Sequence, residues 1–136
     1  MILIDIYSTE EATTVLYRLL VEREPNENIS HRELPRYEDH CAYIAKRPCP
    51  YWYLIRHEYE WIGSIYLTQR HEIGVQLFKR WCGKGLGEQA VEELIRVHST
   101  FFANINPANV RSIRFFEKLG FKPLQVTYSR NPDGLA

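Results

Sequence analysis

The chain has 136 residues, 45% hydrophobic and 25% charged, with 17 basic and 17 acidic side chains. That length suits one domain with a sizeable core, expected to run over residues 1–136. Zero net charge removes any overall attraction to nucleic acid or an anionic membrane, and no apolar run reaches the ~18 residues of a membrane span. The opening MILIDIYSTEE lacks the basic start and cleavage site of a secretory signal. Cys41, Cys49 and Cys82 are an odd set without paired spacing. They predict reduced thiols, a cytoplasmic location and no metal site.

In chain order, ILIDIY predicts a first strand. Ser8 and Glu11 form a capping-box pattern opening a helix to about Glu24, and PNEN breaks it. A second helical region is expected from Ser30 to Lys46, interrupted near Pro35, with RPCP as its stop. YWYLIRH and EWIGSIYLT read as a hairpin, and HEIGVQLF as a further strand with Ile73, Val75 and Leu77 on one face. A glycine turn leads into a helix from Gly85 to His98, whose periodicity buries Leu86, Ala90, Val91, Leu94 and Ile95. FFANI predicts a fifth strand. NPANVRSIRFFEKLG predicts a last helix closed by Gly120, LQVTYS a last strand, and NPDGLA a loose tail. A meander followed by helix crossovers indicates an α+β sheet protein with helices on its faces.

The glycine turn carries the chemistry. In CGKGLG, three glycines surround Lys84 and Leu86 at a helix start. The first amides of a helix have no partner within it, and with the helix dipole they form an anion site suited to phosphate. Glycine permits positive φ and close approach of a ligand to the backbone. The same pattern also serves plain close packing between strand and helix. It fits neither a Walker loop nor a dinucleotide fingerprint, since both GxxxxGK[ST] and GxGxxG are missing.

With its context, IGVQLFKRWCGKGLGEQAVEEL followed by FFANINPANVRSIRFFEKLGF, the chain resembles the GNAT-fold N-acetyltransferase superfamily. The two segments cover roughly the last half of the chain, in that family's order. The resemblance implies a mixed, mostly antiparallel sheet with a splayed strand pair and flanking helices. It implies acetyl-CoA as co-substrate, its pyrophosphate on the amides of Gly83, Lys84, Gly85, Leu86, Gly87 and Glu88, with Cys82 at the motif's start. The pantetheine arm then falls along the backbone of Val75, Gln76 and Leu77, with Asn109, Ser112 and Phe116 beside it. Arg111 and Arg114 are candidates for the adenine-side phosphate. Cys82 stands where the family has Gln or Arg, and Phe116 where many members have a proton-donating tyrosine, so the general acid is unassigned.

An alkyl ammonium has a pKa of about 10.4, so attack by an amine needs a base. The resemblance points to Glu72, with His71 one residue away as its rival. An oxyanion donor would come from a strand amide near Val75. The acceptor pocket is expected in the aromatic stretch from residue 31 to 55, with Tyr37, His40 and Trp52 foremost and Tyr51 and Tyr53 beside them. The implied activity is acetyl transfer to a primary amine of a small molecule or amino sugar, by direct attack in a ternary complex. The alternatives are a non-catalytic acyl-CoA-binding module and an acetyltransferase acting on a protein amine. A homodimer through the last strand is a further expectation, while a nucleic-acid or membrane partner is not expected.

Overall fold

Segments rich in β-branched and aromatic residues form the four strands: β1 (Ile2–Asp5), β2 (Tyr51–His57), β3 (Glu60–Leu67) and β4 (Ile73–Leu77). In the computed structural model, which describes residues 1–23 and 33–130, they make one antiparallel sheet in the order β1-β2-β3-β4. Two rows of the register position the site. Trp52, Tyr66 and Gly74 stand abreast across β2, β3 and β4, and so do Tyr53, Ile65 and Val75. Neighbouring rows point to opposite faces of the pleat.

Each face is covered by helices with apolar residues at helical spacing. Helices α1 (Ala12–Val21) and α2 (Tyr37–Ala45) cover one face, where Ala12, Val15, Leu16, Leu19 and Ile44 pack with Leu54 and Phe78. On the other, α3 (Leu86–Ile95) and α4 (Val110–Lys118) bring Leu86, Ala90, Val91, Leu94 and Phe116 against Ile55, Ile65, Leu67 and Ile73. Gln76 ties α1 to β4, its side-chain amide donating to Leu19 O at 2.7 Å. The α+β class with helices on both faces is as expected.

Several details differ from the sequence reading. The Ser8–Glu11 capping box does not form. Asp5 caps a short 3-10 turn over Ile6–Ser8, accepting from Tyr7 N–H at 2.8 Å. Glu11 instead accepts from Trp61 Nε1 at 2.8 Å, a long-range bond that outcompetes the local cap. Within the second helical region, residues 33–36 are non-helical around the expected interruption at Pro35, and α2 begins at Tyr37. Ile95 is 37% exposed, since Leu94, one position earlier, takes the core side of α3. The fifth strand shrinks to a single parallel bridge between Glu72 and Phe102. Residues 124–129 form no strand, and Leu124, Val126 and Tyr128 are exposed. The end of the first helix at Glu24, the PNEN break, the start of the second helix at Ser30 and the NPDGLA tail lie outside the described residues.

A candidate acyl-carrier cavity beside the edge of strand β4

The single bridge at Glu72 creates an opening. Ile73 N–H donates to Phe102 O at 2.7 Å, and Phe102 N–H donates to His71 O at 2.8 Å. Beyond that point the two chain segments diverge. On the β3 side, Thr68 N–H donates to Glu72 O and Phe78 N–H to Ile62 O. Alternation of the antiparallel ladder then turns the main-chain groups of Val75 and Leu77 away from β3, toward the gap. Such groups need partners, and a ligand that carries amides can supply them. The gap is part of a cavity of about 790 Å³, a size suited to a cofactor, lined by Val75, Gln76 and Leu77 on one side and Asn104, Ile105 and Asn106 on the other.

At one end of this cavity lies the glycine turn. Gly83 and Gly85 take φ of +77° and +78°. A Cβ at Gly83 would meet nothing within 4 Å, and one at Gly85 only the Glu88 carboxylate at 3.9 Å. Close packing therefore does not explain these two glycines; the left-handed backbone does. Gly87 is the opposite case, because its Cβ would stand 3.0 Å from the Phe115 ring. It lets α3 approach α4. Gly85 is the N-cap of α3 and offers no side-chain cap, so the first-turn amides remain for an anion.

Helix α4 supplies the charge. Asn109 caps it, its side chain accepting from Ser112 N–H at 3.1 Å. Asn109, Ser112, Phe115 and Phe116 line the cavity, and so do Arg111, Arg114 and Lys118. Lys118 also pairs with Glu88 at 3.8 Å. With Arg23 and Lys79, the cavity wall holds five basic residues against two acidic ones, Glu22 and Glu88. In a chain of zero net charge, this concentrates positive potential where an anion would lie.

At the other end, side chains do the building. Tyr66 lies across Gly74, where a Cβ would stand 2.1 Å from the ring. Its ring is backed edge-on by Trp52, centroids 5.8 Å apart. Burial, more than the nearby Glu72 carboxylate, pushes the Tyr66 pKa up, against a smaller lowering by Arg23. The phenol therefore keeps its proton at neutral pH. Glu22 and Arg23, at the end of α1, complete this wall. One Glu22 oxygen accepts from Lys79 N–H at 2.8 Å.

The cavity thus gathers Val75, Gln76, Leu77, Cys82, Gly83, Gly85, Gly87, Glu88, Asn109, Ser112 and Phe116 from the sequence-predicted set. The half-buried Cys82 thiol turns back toward Phe78 O at 3.6 Å. Leu86 has its side chain in the core, leaving only its backbone for the turn. Lys84 sits over the Trp81 ring, 5.5 Å from its centroid, rather than in the cavity wall. Glu72 is half-buried and lies outside the lining, though within electrostatic reach of Tyr66. His71 is exposed in a turn at φ +63°.

The three residues expected to bind acceptor are not in the wall. Trp52 stands one ring behind it. Tyr37 bonds Thr14 Oγ1 at 3.3 Å, and His40 donates from Nε2 to Thr13 O at 3.1 Å, so both fasten α2 to α1. Burial lowers the His40 pKa, outweighing the rise from that bond. Sequence reasoning missed Tyr66, Gly74, Glu22 and Arg23. The alternation of β3 marked Tyr66 as opposite in facing to Ile65 and Leu67, and only its register with a glycine shows why it matters.

The fold and this cavity define an acyl-carrier-binding α+β protein. Residues 3–122 match the family model of the acetyltransferase (GNAT) domain, and the chain belongs to that family. It is 27% identical over 73 residues to the peptidyl-lysine N-acetyltransferase YjaB of Salmonella typhimurium. That match spans 54% of this chain and about half the length of the curated relative. Among solved structures, an acetyltransferase from Thermus thermophilus superposes with TM-score 0.70 at 19% identity, over 89% of this chain and 86% of that one. The Salmonella typhimurium structure of yncA, described as an acetyltransferase with its cofactor acetyl-CoA, gives 0.63 at 17% identity, over 88% and 77%. These structural likenesses extend to the fold.

Proposed function

We propose that residues 1–136 act as one acyl-CoA N-acyltransferase domain, transferring acetyl from acetyl-CoA to a primary amine by direct attack in a ternary complex. One observation carries this reading. The outward-facing backbone of Val75 and Leu77 and the positive-φ turn at Gly83 and Gly85 open onto the same cavity. A carrier with amides in its arm and a diphosphate beyond them matches that sequence of donors and acceptors. The turn amides would hold the diphosphate, with Arg111, Arg114 and Lys118 adding charge. The co-substrate supplies an activated acetyl thioester. Val75 N–H is the proposed oxyanion donor, and Glu72 the proposed acceptor of the amine proton, through water given its place outside the wall.

The small-molecule amine is the preferred acceptor because the wall at Glu22, Arg23 and Tyr66 offers polar side chains that a small ligand can meet. The second reading, a lysine of a protein, is favoured by the name of the curated relative from Salmonella. Free-thiol release from acetyl-CoA, measured against small amines, amino sugars and a lysine peptide, decides among the readings. Turnover with small amines is expected. Tight carrier binding without release under every amine would leave a sensing module in place of an enzyme.

A further inference from the structure

We infer that the acceptor amine carries a carboxylate, held by the Arg23 guanidinium and the Tyr66 hydroxyl at the α1 end of the cavity. The inference rests on the acetyl-transfer reading above.

Six of the eleven arginines among the described residues are occupied. Arg36, Arg80 and Arg96 pair with Asp39, Glu60 and Glu93, while Arg18, Arg47 and Arg56 lie over aromatic rings. Arg23 lines the cavity with no hydrogen-bond or ion-pair partner among the described residues, as do Arg111 and Arg114 on α4, and of these three it is the one that acts on Tyr66. Its neighbour Glu22 lines the same wall without pairing with it, and one Glu22 oxygen is engaged by Lys79 N–H.

Among the tyrosines of the described residues, three have bonded hydroxyls, while Tyr66 is the one that lines this cavity. Tyr7 donates to Cys49 O, Tyr17 to Pro35 O, and Tyr37 shares a bond with Thr14. Tyr66 lines the cavity, and its hydroxyl has no hydrogen-bond partner among the described residues. Its ring is fixed, resting on Gly74 and braced by Trp52. Burial keeps its proton in place, so it can only help an acceptor atom by donating. A fixed donor beside an unpaired cation suits a carboxylate, which takes charge-assisted bonds from both. A plain ammonium-bearing amine would instead be repelled by Arg23.

The anion at this end has two candidate sources: the acceptor, or a phosphate of the carrier itself. Matched amines separate them. Glycine and glycinamide, lysine and lysinamide, and phenylalanine and phenylalaninamide are compared for KM and kcat at saturating acetyl-CoA. Calorimetric titration of each into the protein loaded with free CoA gives a readout apart from turnover. The carboxylate member of at least one pair is expected to show a KM and dissociation constant lower by about tenfold, the scale of one charge-assisted bond. Arg23→Gln should erase that advantage, and Tyr66→Phe should reduce it, with carrier affinity in both variants within about threefold of the parent.

Amides favoured or equal in every pair would overturn the inference. So would a loss of carrier affinity in Arg23→Gln, which would assign the cation to a carrier phosphate. If the unaltered chain binds no acetyl-CoA at all, the acetyl-transfer reading itself fails, and this inference with it.

Discussion

The two ends of the cavity offer contacts of different origin. At the glycine turn, the groups facing the cavity are main-chain amides, held by backbone conformation at Gly83 and Gly85. At the α1 end they are side chains, and Tyr66 owes its place to a missing Cβ on the neighbouring strand. A main-chain site depends little on the side chains around it. A side-chain site changes its ligand with one substitution. The contrast fits a division of labour in which one end takes an invariant carrier and the other selects the acceptor.

The largest effect should come from the main-chain end. Gly85→Val puts a β-branched residue at φ +78°, which costs on the order of 1–2 kcal/mol unless the turn rearranges. Space is not the obstacle, so the core should survive. Rearrangement would misplace at least two charge-assisted amide bonds, and acetyl-CoA affinity should fall about a hundredfold or more. Calorimetry with circular dichroism checks this. A folded Gly85→Val protein that binds the carrier tightly would dissolve the contrast. Next in size, Glu72→Gln should slow turnover about a hundredfold at neutral pH, with partial recovery in alkali, where more amine is neutral. An unchanged pH–rate profile would remove Glu72 from the chemistry.

A smaller change should isolate the side-chain end. In Gly74→Ala the new methyl occupies the space of the Tyr66 ring tip, and the flexible end of that side chain must swing away. The acceptor KM is then expected to rise about tenfold while carrier affinity stays within about threefold. Loss of carrier affinity would show that Tyr66 supports both ends.

The same contrast explains what the sequence disclosed. Periodicity in residues 86–94 and alternation in residues 73–77 reflect local geometry, so α3, β4 and the turn between them were legible. The backbone conformation of Gly83 and Gly85 was legible too, since positive φ leaves a residue-type signature. Tyr66 was not, because its meaning depends on strand register with Gly74. Tyr37 and His40 looked like pocket residues because aromatic and polar groups mix in that stretch. Tertiary packing spends them instead on joining α2 to α1. The last two strands failed for a related reason: strand propensity in residues 101–105 and 124–129 needs a paired neighbour to become a ladder.

His40 gives the smallest and most selective test. It is buried, with Tyr17 and Tyr37 rings against it and Thr13 O accepting its Nε2–H. Its folded pKa lies below the ordinary 6.5, so the unfolded chain takes up this proton first as pH falls. The stability it contributes is therefore complete above about pH 6.5, declines as pH drops through that value, and levels off below the folded pKa. Melting temperature should fall by a few degrees between about pH 7.5 and about pH 5.5. His40→Phe should melt lower at the upper pH, having lost the bond to Thr13, yet show a shallower slope. Carboxylates common to both proteins cancel in that difference. Since His40 fastens α2 to α1, whose end at Val21 leads directly into Glu22 and Arg23, acid should weaken acceptor binding before carrier binding. Equal weakening of both, or an identical slope in the variant, would mean that α1 and the glycine turn loosen as one unit.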